Sequence, residues 1–144
     1  MHLSRRGRRA AAVAVLVYSA LLAVALLAPT SGDQSEMASW VRDLGRAIGL
    51  DDTTATQARA EFLCNALIVA PVSAIGSLLW PRTTWRDWTA WAFAGASLVE
   101  LTQGLLLPHR TASYVDIVAN TLGGLLGAVV VALGRRLLPD APRS

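Results

Sequence analysis

The chain has 144 residues, of which 53% are hydrophobic and only 16% are charged. A soluble domain carries roughly 25% charged residues, so the composition argues against a soluble protein and favours one membrane domain spanning residues 1–144. The net charge of the chain is +3, and the arginines lie at the ends of apolar segments rather than along one helix face. This placement argues against a nucleic-acid partner.

The first apolar segment covers residues 10–28 and follows four arginines near the N-terminus. Its length is close to the roughly 20 residues of a transmembrane helix and exceeds the roughly 7–15 residues of a signal-peptide core. No small-x-small cleavage site directly precedes the polar residues after it. We predict a retained transmembrane helix with a cytoplasmic N-terminus, because arginines favour that side. A cleaved signal peptide is the alternative.

A polar segment at about 29–61 is predicted to lie outside the cell. Pro29 and Gly32 should end the first helix, and Asp33 or Ser35 should cap a short second one. Its apolar residues recur with helical spacing, at Met37, Trp40, Val41, Leu44 and Ile48. Gly49 is the predicted stop. The helix is too short and too charged to cross a bilayer, so we expect it at the interface with Trp40 as its anchor. An outer lid that packs on the other helices is the alternative.

Three further apolar segments follow, at about residues 62–80, 88–107 and 115–134. The first of these contains Pro71, which a membrane helix tolerates where neighbouring groups satisfy the freed carbonyl. Tryptophans cluster around the next link as in an aromatic belt, at Trp80, Trp85, Trp88 and Trp91. Most arginines fall on one side of the four segments. The predicted fold is therefore an all-α membrane protein with four transmembrane helices, cytoplasmic termini and a short amphipathic outer helix.

Polar residues inside these segments converge at one depth in the outer half of the predicted bilayer. A buried charge there costs at least about 3 kcal/mol unless it is paired or hydrated. One interpretation is structural: an arginine in the turn neutralises one of the acids, and the amides tie helices together. The other is a pocket that is open to the outside and binds a polar head group. The residues concerned are Asn65, Glu100, Gln103, Arg110, Asp116 and Asn120.

Small residues on the last segment, Gly123, Gly124 and Gly127, have the spacing of closely packed membrane helices. They are not a phosphate loop, because neither a strand nor a lysine accompanies them. Cys64 is interpreted as a packing residue, and His109 as a loop residue rather than a metal ligand, since no second candidate ligand of its kind lies nearby. We predict neither a metal nor a cofactor.

The order S-x-x-E-x-x-Q, then Arg, then D-x-x-x-N-x-x-G-G-x-x-G resembles the VanZ-like family of small bacterial membrane proteins. It begins at Ser97 and includes each polar residue named above from Glu100 to Asn120. Upstream, Asn65 and Pro71 are similar to the family's N-x-x-x-F-x-P-x-G signature, with Val69 in place of the aromatic residue and Ser73 in place of the glycine. The resemblance covers about residues 61–133, whereas the first span and the short outer helix carry no motif.

The resemblance implies a location in the bacterial plasma membrane. The family's founding member is associated with resistance to teicoplanin, without altered peptidoglycan precursors. Our leading hypothesis is an outer-facing pocket that engages an envelope component: a lipid-linked precursor, a glycan head group or a lipoglycopeptide. Arg110 would attract a phosphate or carboxylate, Glu100 would be the buried acid, and Gln103 and Asn120 would position the ligand.

Two other functions fit the same residues. A membrane-embedded hydrolase or transferase acting on envelope lipids would use Glu100 or Asp116 as a general acid or base. A non-catalytic bundle would instead assemble with copies of itself or with other membrane proteins through the glycine face. A transporter is disfavoured, because four short spans show no inverted repeat.

Overall fold

The computed structural model describes residues 4–27, 32–107 and 112–137. They contain no strand, which confirms the all-α prediction for these ranges. Three of the helices, α1, α3 and α5, are long and apolar enough to cross a membrane. α4 has 22 residues, but Glu100 and Gln103 interrupt its apolar sequence. The five helices are α1 (Arg5–Leu26), α2 (Gly32–Ala47), α3 (Gln57–Leu79), α4 (Trp85–Leu106) and α5 (Tyr114–Leu137).

α2 differs from the prediction at its start and agrees with it at its end. The helix already begins at Gly32, so the predicted cap positions Asp33 and Ser35 lie inside it; Pro29 lies outside the described residues. At the other end Gly49 has a φ of 96°, and its amide and that of Leu50 donate to carbonyls three and five residues back. This is a Schellman motif, in which glycine adopts the left-handed conformation at little cost.

α2 packs on α3 and also keeps an apolar face outward. Ala38 is fully buried, and the side chain of Gln57, at the start of α3, donates to the Ser35 carbonyl at 3.2 Å. The predicted apolar stripe is exposed instead, with Trp40 72% accessible. The helix therefore combines features of both interpretations: it is attached to the bundle and presents an anchor to its surroundings.

α3 and α5 run parallel at the centre of the bundle, and α4 packs antiparallel to them. Asn65 of α3 contacts Asp116 of α5 near the start of both helices, whereas Ser77 contacts Arg135 near their ends. We call the end with Leu26, Asn65, Glu100, Ser113 and Asp116 the polar end. The opposite end, with Arg8, Leu79, Arg82, Arg135 and Arg136, is the basic end.

Glycines of α5 allow the close approach of these helices. A Cβ added at Gly123 would collide with the Ala66 carbonyl of α3, and one added at Gly127 with the Ala70 carbonyl. Gly124 faces α4, where a Cβ would collide with Ala92. In this structure Gly123, Gly124 and Gly127 are therefore buried against α3 and α4 of the same chain.

α1 is attached to α3 along its length. The Tyr18 hydroxyl donates to the Ile68 carbonyl at 2.7 Å, three residues before Pro71. At the basic end the last carbonyls of α3 lack helical partners. Arg8 donates to Leu79 O at 3.2 Å and Arg135 to Ser77 O at 2.6 Å, and their positive charges also suit a helix C-terminus.

The tryptophans near the basic end divide into two groups. Trp80, Trp85 and Trp91 are exposed, as an aromatic belt requires. Trp88 is instead half-buried, and a Cβ added at Gly76 of α3 would collide with its ring. Its ring centroid lies 6.2 Å from that of Trp80. Trp88 is therefore a packing residue between α3 and α4, which differs from the predicted belt role.

Candidate functional site

A hydrogen bond between α3 and α5 begins the polar end. Asn65 Nδ2 donates to Asp116 Oδ1 at 2.7 Å, and both residues are half-buried. A hydrogen bond to a carboxylate is stronger than one between neutral groups. The contact places these two predicted site residues side by side and fixes the register of the two parallel helices.

The start of α5 is joined to α4 through Glu100. Ser113 precedes the first turn of α5, and its hydroxyl accepts the Asp116 amide at 3.3 Å. In a complete capping box the residue-116 carboxylate would take the Ser113 amide in return. Here Glu100 Oε2 accepts that amide at 2.6 Å. Glu100 therefore substitutes for the Asp116 side chain, which accepts from Asn65.

Gln103 lies one turn from Glu100 and joins α4 to α1. Its side chain is 3% exposed, and its Nε2 donates to the Leu26 carbonyl at 2.5 Å. Leu26 is the last residue of α1, where carbonyls have no helical partner. The side-chain amide of Gln103 thus satisfies a helix end, which is a positioning role rather than an open ligand contact.

Asn120 is the exception among the amides. It lies one turn after Asp116 and is 4% exposed. Its Oδ1 is buried and has no hydrogen-bond partner in the described part of the chain. Leaving a buried acceptor unsatisfied costs about 1–3 kcal/mol. The contact between Ala92 and Gly124 sets the antiparallel register, which places Asn120 level with the small residue Ala96 of α4.

The structure brings five of the six predicted ligand-binding residues to one end of the bundle, and Arg110 lies outside the described residues, as does His109. Both candidate catalytic carboxylates, Glu100 and Asp116, accept hydrogen bonds there. Two contributors were missed from the sequence. The Leu26 carbonyl leaves no sequence signal, whereas Ser113 followed by Asp116 is a capping-box pattern that could have been recognised.

The polar end is rich in hydrogen-bond acceptors. Two carboxylates and the Asn120 carbonyl oxygen lie on neighbouring turns of α4 and α5, and the side-chain amides of Asn65 and Gln103 and the Ser113 amide donate hydrogen bonds at this end. Within the described ranges no three His, Cys, Asp or Glu side chains come together as a metal site requires.

Comparison with known proteins supports the resemblance found in the motif. A family model described as VanZ/LLP1 matches residues 11–135, which is most of the chain. The chain belongs to the VanZ/LLP1 family. With its apolar helices, this indicates a VanZ-like membrane protein. No curated protein and no solved structure matches the chain.

The VanZ-like match begins near the N-terminus and includes α1 and α2, beyond the residues 61–133 that carry the motif. The fold gives a reason, because Gln103 of the motif region contacts the end of α1. The departure at Ser73 also has a structural explanation. Ser73 is buried beside Gly127 and donates to its own helix at Ala70 O, so a small residue is retained where the family signature has glycine.

Proposed function

We propose that this VanZ-like protein crosses the bacterial plasma membrane four times and binds the polar head group of a cell-envelope component at its polar end. The observation that carries the proposal is the buried, unpartnered Oδ1 of Asn120. Helix packing accounts for the Asn65, Glu100 and Gln103 contacts, since each joins two elements. It does not account for Asn120, whose acceptor a bound ligand would satisfy.

The surface of α4 supports its assignment as a fourth span. Its exposed residues include Leu98, Leu101 and Leu105, which are 58–72% accessible. After the exposed first turn, which carries Arg86 and Asp87, its strongly polar residues are Glu100 and Gln103, and these are at most 5% exposed. Polar groups of membrane helices face the bundle interior in this way. A lipid-facing apolar side and a polar inner side are thus compatible with crossing the bilayer.

The orientation of the four spans follows from charge. Arginines of α1, of the link between α3 and α4, and of the last turn of α5 lie at the basic end. The excess of arginine near span ends favours the cytoplasmic side. The segment between α1 and α3 carries Asp43, Asp51 and Asp52 and lies near the polar end. We therefore place the polar end and α2 outside, both termini inside, and α1 as a retained span.

Cysteine labelling tests this topology. In a Cys64→Ala background, Asp52→Cys is expected to react with a membrane-impermeant maleimide in intact cells. Arg86→Cys is expected to react only after the cells are permeabilised. Both positions are exposed, so accessibility to the reagent and not burial decides the result. Labelling of Arg86→Cys in intact cells without labelling of Asp52→Cys would show the opposite orientation.

A charge-removing substitution tests the binding function. We propose lipoglycopeptides among the ligands and a contribution to teicoplanin resistance. Glu100→Gln keeps the size of the side chain and an acceptor for the Ser113 amide but removes the negative charge. We expect the variant to reach wild-type abundance in the membrane and to lose any difference in teicoplanin susceptibility between cells with the protein and an empty strain.

Each other outcome of this comparison has a definite meaning. Loss of Glu100→Gln from the membrane would show that the carboxylate mainly holds α4 to α5. Equal susceptibility of wild-type and empty strains would reject the link to teicoplanin. Unchanged resistance in an abundant variant would reject a functional role for the Glu100 charge.

A further inference from the structure

A cavity lined partly by arginines lies at the basic end, the end of the bundle opposite the polar end. It has a volume of about 310 Å³, and it is formed where the last turn of α3, the link to α4 and the last turns of α5 meet. This size is at the lower limit for small-ligand sites, which begin at roughly 300 Å³. Its polar lining residues are Ser77, Arg82, Thr83, Thr84, Arg135 and Arg136.

All the charged side chains that line the cavity are positive. Three guanidinium groups line it, and none of its lining residues is acidic. The closest acid in the sequence is Asp87, in the first turn of α4 and before the predicted span at 88–107. Its carboxylate accepts both the amide and the hydroxyl of Thr84, each at 2.8 Å. With these two bonds the Asp87 carboxylate caps the helix. The bond from the Thr84 amide has the larger effect and the bond from the hydroxyl the smaller, and together they hold the pKa of the Asp87 carboxyl below its ordinary value.

The arginines differ in how firmly they are held. Arg135 is half-buried and donates to the Ser77 carbonyl at 2.6 Å, which leaves other guanidinium donors in a fixed position on the cavity wall. Arg82 and Arg136 are exposed at its rim. One hydrogen-bonded and two exposed guanidinium groups around a small space form a favourable arrangement for a tetrahedral oxyanion, which arginine binds through paired hydrogen bonds.

The position of the cavity indicates where such an anion would come from. Trp85 lines it and Trp80 precedes the link, and both indoles are exposed. Indole rings collect at the level of lipid head groups, and basic pockets between membrane helices bind anionic head groups. We propose that this cavity binds a phosphate group, carried by an anionic phospholipid of the adjacent leaflet or by a soluble phosphoryl compound. The site is separate from the polar end and does not depend on the function proposed for it.

Lipid retention by the purified full-length protein tests the site. Native mass spectrometry would compare phosphatidylglycerol with zwitterionic phosphatidylethanolamine, both added to delipidated protein in detergent. We expect retention of phosphatidylglycerol by the wild type and a loss of roughly tenfold or more in an Arg82→Gln/Arg136→Gln variant, since basic residues near the membrane surface each contribute to anionic-lipid binding. Arg135 is left unchanged because it also holds α3.

Arg86→Gln is the matched control. Arg86 lies at the same end and carries the same charge, but its guanidinium stacks 5.2 Å from the centre of the Trp85 ring and is not part of the cavity lining.

A second experiment titrates the same proteins with inorganic phosphate and measures thermal stabilisation in detergent. Retention of phosphatidylglycerol that depends on Arg82 and Arg136 but not on Arg86 supports a lipid source. Arginine-dependent stabilisation by phosphate without lipid retention supports a soluble source.

Three results would overturn the proposal. The first is a loss of bound lipid that, per positive charge removed, is the same in the double variant as in Arg86→Gln. This would show that the overall positive charge of this end alone attracts the lipid. The second is retention of both lipids to the same extent in the wild type and in the Arg82→Gln/Arg136→Gln variant. The third is binding of neither probe by a wild-type protein that remains folded.

Discussion

Gly127→Ala is expected to lower the free energy of unfolding in detergent by about 3 kcal/mol, at the upper end of typical overpacking costs. The new Cβ would collide with the Ala70 carbonyl and with the Ser73 hydroxyl oxygen. A backbone carbonyl in a helix cannot rotate away, so α3 and α5 would have to separate. Gly123→Ala is expected to have a similar effect, because its Cβ would collide with Ala66 O.

Gly134→Ala provides the control in the same helix. A Cβ at Gly134 meets nothing within 4 Å, and alanine has a higher helix propensity than glycine, by up to about 1 kcal/mol. This variant should be equally stable or slightly more stable. The measurement is denaturant unfolding followed by circular dichroism. Equal stability of Gly127→Ala and Gly134→Ala would contradict the close packing of α5 on α3.

Asn65→Leu is expected to be the most damaging single change among the polar residues. It removes the donor to Asp116 while keeping the number and branching of the side-chain heavy atoms, and hydrogen bonds to charged groups contribute about 1.5–3 kcal/mol. The contact also joins α3 to α5 at their N-terminal ends, so its loss should weaken the start of both helices. Thermal unfolding in detergent measures the effect.

The matched control for Asn65→Leu is Thr121→Val. The Thr121 hydroxyl donates to the Ile117 carbonyl at 2.7 Å within its own helix, so its removal breaks no connection between helices. We expect a change of less than about 1 kcal/mol, since a typical neutral hydrogen bond contributes 0.5–1.5 kcal/mol. If both variants unfold alike, the Asn65–Asp116 bond does not hold the two helices together.

The lengths of the apolar segments predicted where the long helices lie but not the residues at which they begin and end. The segment predicted at residues 62–80 ends one residue after α3, but α3 begins five residues earlier, at Gln57. Its first turn is polar and is capped by the Thr56 side chain, which accepts the Arg59 amide. Hydropathy marks only the part of a helix that contacts apolar surroundings, so polar first turns are left out. For α2 the capping preference of Asp and Ser placed the cap at Asp33 or Ser35, whereas the helix already begins at Gly32.

The composition of the polar end was predictable, whereas its pairing was not. Polar residues in apolar segments are conspicuous, and helical spacing puts Glu100 and Gln103 on one face. Which partner each takes depends on how α3, α4 and α5 pack, and a periodic pattern in one helix carries no information on that. The hydrogen bond from the Ser113 amide to Glu100 depends on this packing and was therefore not predictable. The same is true of the unpartnered Oδ1 of Asn120, because the neighbouring helices decide whether a partner is within reach.

Asn120→Ala tests most directly whether the polar end is a binding site. The unfolding temperature and the teicoplanin susceptibility of cells at matched membrane abundance would be measured together for wild type and variant. A buried acceptor without a partner destabilises the unliganded protein by about 1–3 kcal/mol, and alanine removes this acceptor without adding atoms beside Ala96, so stability should be equal or higher. We expect this stable variant to lose the resistance phenotype. A variant that is destabilised, as Asn65→Leu should be, or one that keeps full resistance would contradict this expectation.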